Sequence, residues 1–334
     1  MTALLSLPVL IGLIAVALAF DLLNGLHDTA NSIATIVSTR MLRPRYAVVW
    51  AAFFNFIAFL LFGVHVARTI GVGIVSADVM DARVIFGALM GAISWNLITW
   101  WGGIPSSSSH ALIGGLVGAG VTKAGLASIV WPGLLTTSAF IVLSPLLGFF
   151  LALFLVLAVS WAFVRANPRA VEGTFKWLQF AAASAISLGH GGNDAQKTMG
   201  IIAVLLFSQG KLGADFYVPF WVVITCQAAM GLGTLIGGWR IVNTVGSKIT
   251  RMTPVQGCCA SAGGAIMLFG ATYFGIPVST THTVTGSIIG VGAARKASAV
   301  RWNIATNIVI AWIVTIPASA LMAVLFYSLS GLFR

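Results

Sequence analysis

Two short polar motifs interrupt this otherwise apolar chain, and each occurs twice. Gly25-Leu26-His27-Asp28-Thr29-Ala30-Asn31 is matched by Gly191-Gly192-Asn193-Asp194-Ala195-Gln196-Lys197, an offset of 166 residues. Ile104-Pro105-Ser106-Ser107-Ser108-Ser109-His110 is matched by Ile276-Pro277-Val278-Ser279-Thr280-Thr281-His282, an offset of 172. Downstream, Gly114, Gly118 and Gly120 fall on Gly286, Gly290 and Gly292, and Pro145 falls on Pro317, at the same 172. Gly63 and Gly71 fall on Gly238 and Gly246 at 175. Self-similarity of this kind marks two copies of one structural unit. The boundary predicts residues 1–164 as the first copy and 165–334 as the second.

The medium around the motifs sets the fold class. The chain is 59% hydrophobic and only 7% charged, against about 25% charged in soluble domains. Such a chain cannot cover a water-facing surface, which excludes a soluble enzyme, a nucleic-acid binder and a disordered protein. The net charge of +11 is therefore read as Lys and Arg collected in cytoplasmic loops, with no nucleic-acid partner. At about 20 residues per span the apolar tracts allow ten to twelve segments. Strand-like alternation is absent, so an all-α polytopic membrane protein is expected rather than a barrel. The first apolar run, Leu4 to Phe20, lacks a basic leader and reads as a membrane helix. Cys226, Cys258 and Cys259 lie in apolar runs and suggest neither a disulfide framework nor a metal site.

Loop charge relates the two copies. Arg40, Arg43 and Arg45 lie opposite a counterpart carrying Lys211 and Asp215. Residues 68–83 hold Arg68, Asp78, Asp81 and Arg83, whereas their counterpart holds Arg240, Lys248 and Arg251. Lys123 stands alone against Arg295, Lys296 and Arg301. The bias alternates at every matched loop, so the copies are expected in opposite orientations, an inverted repeat of five segments each. Both termini are then expected outside, at a multi-pass cytoplasmic membrane. Inverted repeats with interrupted helices characterise secondary transporters whose site lies at the midplane.

Of seven acids, Asp21, Asp28 and Asp194 fall inside apolar segments. A carboxylate at that depth costs several kcal/mol unless it is paired or lines a wet cavity. Asn24, Asn31 and Asn193 add amide oxygens beside them. Carboxylate with neutral oxygens suits a hard cation or a proton, and Gly25, Gly189, Gly191 and Gly192 are expected to let both helices unwind. The four hydroxyl residues Ser106–Ser109 and the run Ser279, Thr280, Thr281 follow prolines and open apolar helices, so they suit an anion; ordinary capping is the competing reading. His110 and His282 are expected to orient these turns by hydrogen bonds, and His27 to adjust Asp28. His65 and His190 complete the histidines. No histidine pair has metal-site spacing, so no metal is assigned. Lys197, matched to Asn31, is a buried cation that could offset Asp194 or bind an anion. The glycine pairs at 114–118 and 286–290 point to close helix packing.

The duplicated Asp motifs and the Pro-Ser-Ser-Ser-Ser-His and Pro-Val-Ser-Thr-Thr-His turns resemble the PiT family of inorganic phosphate transporters over essentially the full length. The likeness is greatest to short bacterial members. It implies a secondary importer of phosphate with Asp28, Asn31, Asn193 and Asp194 at the substrate and coupling-ion site, joined by the hydroxyl turns. It implies no cofactor beyond a coupling ion, which could be a proton, sodium or a divalent metal–phosphate complex. A homodimer is implied by the resemblance alone. His27 and Lys197 depart from the family pattern on the cation side. Sulfate transport, a cation channel and an intramembrane Ser/His hydrolase are the alternatives; the duplication and the lack of a Gly-x-Ser-x-Gly elbow weigh against the last.

Overall fold

The computed structural model describes residues 5–331; Leu4, where the first apolar run was expected to open, lies outside the described residues. The described chain is helical, with one isolated bridge between Val75 and Ile129. The first copy contains α1 (Leu7–His27), α2 (Thr29–Ser38), α3 (Pro44–Ile57), α4 (His65–Val72), α5 (Ala82–Gly102), α6 (Ser108–Ala124) and α7 (Trp131–Ala162). The second contains α8 (Pro168–Ser208), α9 (Phe220–Ile236), α10 (Trp239–Asn243), α11 (Pro254–Tyr273), α12 (Thr280–Arg295) and α13 (Trp302–Leu329). Five spans are long and apolar enough to cross a membrane: Leu7–Ser38, α5, α7, α11 and α13. Two bent pairs raise this to seven: α3 with its 3-10 extension bends 84° into α4, and α9 bends 65° into α10 and the π-turn that follows. The 41 residues of α8 reach about 60 Å, twice a bilayer core, so its exposed N-terminal turns project beyond the apolar layer.

Packing follows the duplication, with the copies exchanged. α12 lies along α7, and α13 lies along α6. α1 packs on α9 as α8 packs on α3. Small residues set these approaches. A side chain at Gly114 or Gly118 would strike the Ile316 and Ala320 carbonyls of α13, and one at Gly286 or Gly290 would strike the Pro145 and Phe149 carbonyls of α7. The glycine pairs are thus packing devices, as their spacing suggested.

Each hydroxyl turn is delivered by the same local construction. Gly103 (φ 64°) and Gly275 (φ 70°) turn the chain out of α5 and α11 through the left-handed region, which glycine enters without strain. Pro105 and Pro277 then hold the chain extended. Ser107 and Ser279 cap α6 and α12, each accepting from the amide of the histidine three residues on at 3.2 Å.

One expectation fails. The glycines of the second motif do not unwind α8, which runs unbroken through Asp194. They allow close approach instead: a side chain at Gly191 would meet the Asn55 carbonyl, and one at Gly192 the Phe62 ring. Gly25, matched to Gly191, meets the Met230 carbonyl in the same way. Only the first copy is interrupted, at Asp28, between α1 and α2.

Candidate substrate and ion site

The two motif acids meet. One ligand atom each from Asp28, Asp194 and His190 lies within 4.8 Å of the others, although Asp28 and Asp194 come from different copies. Both carboxylates are buried. The hydroxyls at the starts of α6 and α12 close around them. Ser108 donates to Asp28 at 2.7 Å, and the matched Thr280 donates to Asp194 at 2.9 Å. Thr281 crosses to Asp28 at 3.3 Å. Asn31 donates from its amide to both Thr280 and Thr281 at 3.0 Å.

The copies neutralise their acids differently. Asp194 is held by the Lys197 ammonium, one turn along α8, and His190 Nε2 lies 3.2 Å from its other oxygen. Lys197 also donates to Ser109 Oγ and, at 2.8 Å, to the Val278 carbonyl. Asp28 has only His27, with Nδ1 at 2.7 Å. Ser108 has one proton, yet it faces both Asn24 Oδ1 at 2.6 Å and Asp28 Oδ2 at 2.7 Å. The single Ser108 proton thus stands between an amide oxygen and a carboxylate oxygen, an arrangement that a cation or a proton completes. Two turns earlier on α1, Asp21 is fully buried, with the Thr198 hydroxyl and Asn24 beside it. Unlike Asp194, it has no ion pair among the described residues.

Several singled-out residues serve the frame of the site. Ser107 and Ser279 have their oxygens engaged as caps. Ser106 donates to Thr99 at 2.9 Å and lies 3.3 Å from His27 Nε2, which also meets Thr99 at 3.1 Å. Asn193, matched to His27, makes the equivalent ties: its amide donates to Thr272 and to the Ile276 carbonyl, and its oxygen accepts from Val278 N. His27 and Asn193 thus pin the two hydroxyl turns to the helices that carry the acids.

His110 and His282 do not orient the turns by hydrogen bonds as expected. They meet each other edge to face at 4.5 Å, and His282 stacks on Trp312 at 3.7 Å. His282 Nδ1 lies 3.4 Å from the Ile141 carbonyl, the acceptor that Pro145 leaves without its helical partner. The rings are packing pieces where the two helix starts converge.

His190 was not singled out as a ligand by its sequence. The i, i+4 spacing that matters joins His190 to Asp194 rather than two histidines, and Asp28 from the other copy completes the cluster. Ser106, His27 and Asp28 form a line of contacts like a hydrolase triad, but the matched positions are Val278, Asn193 and Asp194, which cannot repeat that chemistry. The duplicated elements are the hydroxyl starts and the acids.

Every residue of this site is buried. The free first-turn amides of α6 and α12 and their hydroxyls offer donors to an oxyanion. The acids and amide oxygens offer acceptors to a cation.

Known proteins share this chain's sequence and architecture. It matches the phosphate transporter family over residues 24–323. A probable low-affinity inorganic phosphate transporter of Rhizobium meliloti is 71% identical over 98% of both chains. The protein described in the same words from Bacillus subtilis is 44% identical over 98% of both. A solved structure described as the sodium-dependent phosphate transporter superposes with a TM-score of 0.91 at 26% identity, covering 98% of this chain and 100% of that one. These relatives are transporters and not enzymes. An all-α, multi-pass membrane architecture, a duplicated buried site and full-length similarity converge on one assignment: the chain belongs to the phosphate transporter family.

Proposed function

We propose that the protein imports inorganic phosphate by cation-coupled secondary transport, with alternating access about the Asp28–Asp194 site. The observation that carries this reading is the meeting of the two matched carboxylates inside a ring of hydroxyls. A phosphate dianion close to two carboxylates is repelled, and strongly so in a low dielectric. Positive charge must therefore travel with it or wait for it. Lys197 supplies one fixed charge. The second enters on the Asp28 side, where Asp28, Asn24, Asn31 and Asp21 supply oxygens for a cation or accept a proton. Phosphate is then gripped by Ser108, Ser109, Thr280, Thr281 and Lys197, which exchange the carboxylates for phosphate oxygens as acceptors. The sodium-dependent structural neighbour supports a coupling cation.

Residues 1–164 and 165–334 form the two halves that move against each other, inserted in opposite orientations with both termini outside. Labelled-phosphate uptake into proteoliposomes tests the activity, with sulfate as competitor. Uptake that does not respond to pH, sodium or Mg²⁺ would remove the coupling. Labels at Arg43→Cys and Lys248→Cys should react from the cytoplasm, and labels at Asp78→Cys and Gly213→Cys from outside. The native cysteines are buried, so background labelling is low. Labelling of positions 43 and 213 from one side would end the inverted arrangement.

A further inference from the structure

Away from the transport site, three arginines converge without partners. Arg251, Arg295 and Arg301 line a cavity of about 230 Å³ together with Ser247 and Thr250. Backbone ties build it: Arg301 N donates to the Ile249 carbonyl at 3.0 Å, and Thr250 Oγ1 donates to the Ala299 carbonyl at 3.1 Å. These bonds bring the segment after α10 against the segment between α12 and α13. Among the described residues none of the three guanidinium groups makes an ion pair. No acid occurs between residues 216 and 334. Glu172 borders a separate cleft with Thr253 and pairs with Lys176 at 3.8 Å.

The first copy shows what the same construction looks like when it is closed. There Val130 N donates to the Ile74 carbonyl at 3.0 Å and Ser76 N to the Ser128 carbonyl at 2.9 Å, matching the ties of the second copy. Lys123, matched to Arg295, is neutralised by Asp81 at 2.8 Å and donates to the Val79 carbonyl at 2.7 Å. Ser76 stands at the position matched to Arg251. Three like charges facing one cavity repel each other, and nothing in the chain offsets them. Water and mobile ions screen such a cluster, but only a multivalent oxyanion satisfies the planar forks together.

The segment after α10 and the first turn of α13 also line an apolar groove of about 530 Å³. Lys248, next to Ser247, lies at its polar end with Thr244, and Ile304, one turn beyond Arg301, opens its apolar wall. The wall continues along α13 through Ile308, Ala311 and Val314, with Val314 and Ile310 exposed where lipid would lie. The opposite wall includes Ile104 and Pro105, which lead directly into the Ser106–Ser109 turn.

We propose that the loops of the second copy form a site for an anionic phospholipid, the headgroup phosphate on Arg251, Arg295 and Arg301 and one acyl chain in the groove along α13. The groove is what selects a lipid over a free phosphate ion, because a free ion uses the arginines and leaves 530 Å³ of apolar wall unfilled. A basic cluster beside segments that also line an apolar groove fits a headgroup and its tail together. The occupant would buttress the Pro105 turn, and so link lipid composition to the geometry of the substrate site.

The test uses the full chain in nanodiscs of phosphatidylcholine with increasing phosphatidylglycerol, and reads the thermal unfolding midpoint. Phosphatidylglycerol should raise the midpoint of the native protein. The triple variant Arg251→Gln, Arg295→Gln, Arg301→Gln should show no rise over the same range, since each of the three basic groups near a membrane surface contributes about 1 kcal/mol and together they are worth more than about a hundredfold in lipid affinity. The charge-matched control Arg165→Gln, Arg169→Gln, Lys176→Gln should respond as the native chain does. Ala311→Trp, which fills the groove and spares the arginines, should also lose the response. An equal response in native and triple-variant protein overturns the site. Retention of the response by Ala311→Trp, or an arginine-dependent midpoint rise with inorganic phosphate in pure phosphatidylcholine, overturns the lipid and makes free phosphate the ligand.

Discussion

Asp28 and Asp194 occupy matched positions in matched motifs, yet one sits at a helix break and the other inside 41 unbroken helical residues. The neighbouring letters differ as well. Thr29 follows Asp28, and its hydroxyl donates to the Gly25 and Leu26 carbonyls at 2.7 and 3.1 Å. Such a bond competes with the helical ladder, although the same bond from Ser184 and Ser187 leaves α8 continuous. Ala195 follows Asp194, and alanine is the strongest helix former with no hydroxyl to compete. The continuous helix then places Lys197 and His190 one turn either side of Asp194, where both reach it. At the break, Asp28 has His27 and hydroxyls in place of a lysine. One motif is thus written in two forms: a half with its own fixed cation, and a half that is short of positive charge.

The largest expected effects test that asymmetry at the acids. Asp28→Asn and Asp194→Asn should each lower phosphate uptake at least roughly tenfold, the loss of one charge-assisted contact. Stability should separate them. Asp194→Asn leaves the Lys197 ammonium buried without its counter-charge, a loss of about 3–5 kcal/mol. Asp28→Asn leaves no lysine without its counter-charge and should cost far less. Adding Lys197→Met to Asp194→Asn should restore most of the lost stability without restoring uptake. Equal melting midpoints for the two single variants in detergent would erase the distinction between the halves.

A smaller effect is expected from making the halves alike. Lys197→Asn gives the second copy the residue that the first has at position 31. Uptake by this variant should survive only with more added cation, because the fixed charge on Asp194 must then be supplied from solution. The readout is the cation concentration for half-maximal uptake, set against that of the native chain. An unchanged value would mean that Lys197 serves the protein frame and not the charge balance of the site.

Much of this was legible in the sequence because a duplicated motif reveals itself by comparison with its own copy. The glycine stripes of α6 and α12 and the gathering of acids and hydroxyls followed from matched letters at fixed offsets, whereas the same letters called for an interruption at both acids and only Asp28 has one. What escaped was any distinction between identical letters in one run. Ser106, Ser107, Ser108 and Ser109 read alike, but helix geometry assigns Ser107 to the cap and turns Ser108 toward Asp28, while Ser106 faces His27 and Thr99. The glycines of the second motif read as a hinge because a flexible backbone is one use of glycine. Their use as contact surfaces depends on Asn55 and Phe62, which lie more than a hundred residues away. His190 was hidden for a related reason: it pairs with Asp194 one turn on, and the third member of the cluster, Asp28, comes from the other copy.

Within the hydroxyl turns the same comparison gives a division that stability and affinity can resolve. Ser107→Ala and Ser279→Ala remove matched caps and should each cost about 1 kcal/mol of stability, with phosphate affinity little changed. Ser108→Ala and Thr280→Val remove matched donors to the two acids and should weaken phosphate binding more than they alter stability. Equal loss of phosphate affinity from cap and donor variants would dissolve the separation between frame and ligand.

The smallest effect concerns the break itself. Thr29→Ala gives the first motif the residue that keeps α8 continuous. The substitution removes two side-chain bonds to carbonyls that the helical ladder can then reclaim, so stability should move by less than about 1 kcal/mol. No ligand-facing group is lost, so phosphate affinity should hold. If the interruption between α1 and α2 is where the first half flexes as the buried site opens, the variant should bind normally and turn over more slowly. The measurement is a KM that stays constant while the maximal uptake rate falls by a few fold, about 1 kcal/mol on the barrier. The reverse change, Ala195→Thr, places a competing hydroxyl beside Asp194, but Lys197 and His190 still brace that acid from either side. It should therefore disturb transport less than Thr29→Ala does. Equal effects from the two substitutions would show that the break in α1 is an accident of one hydroxyl rather than the moving joint of the first half.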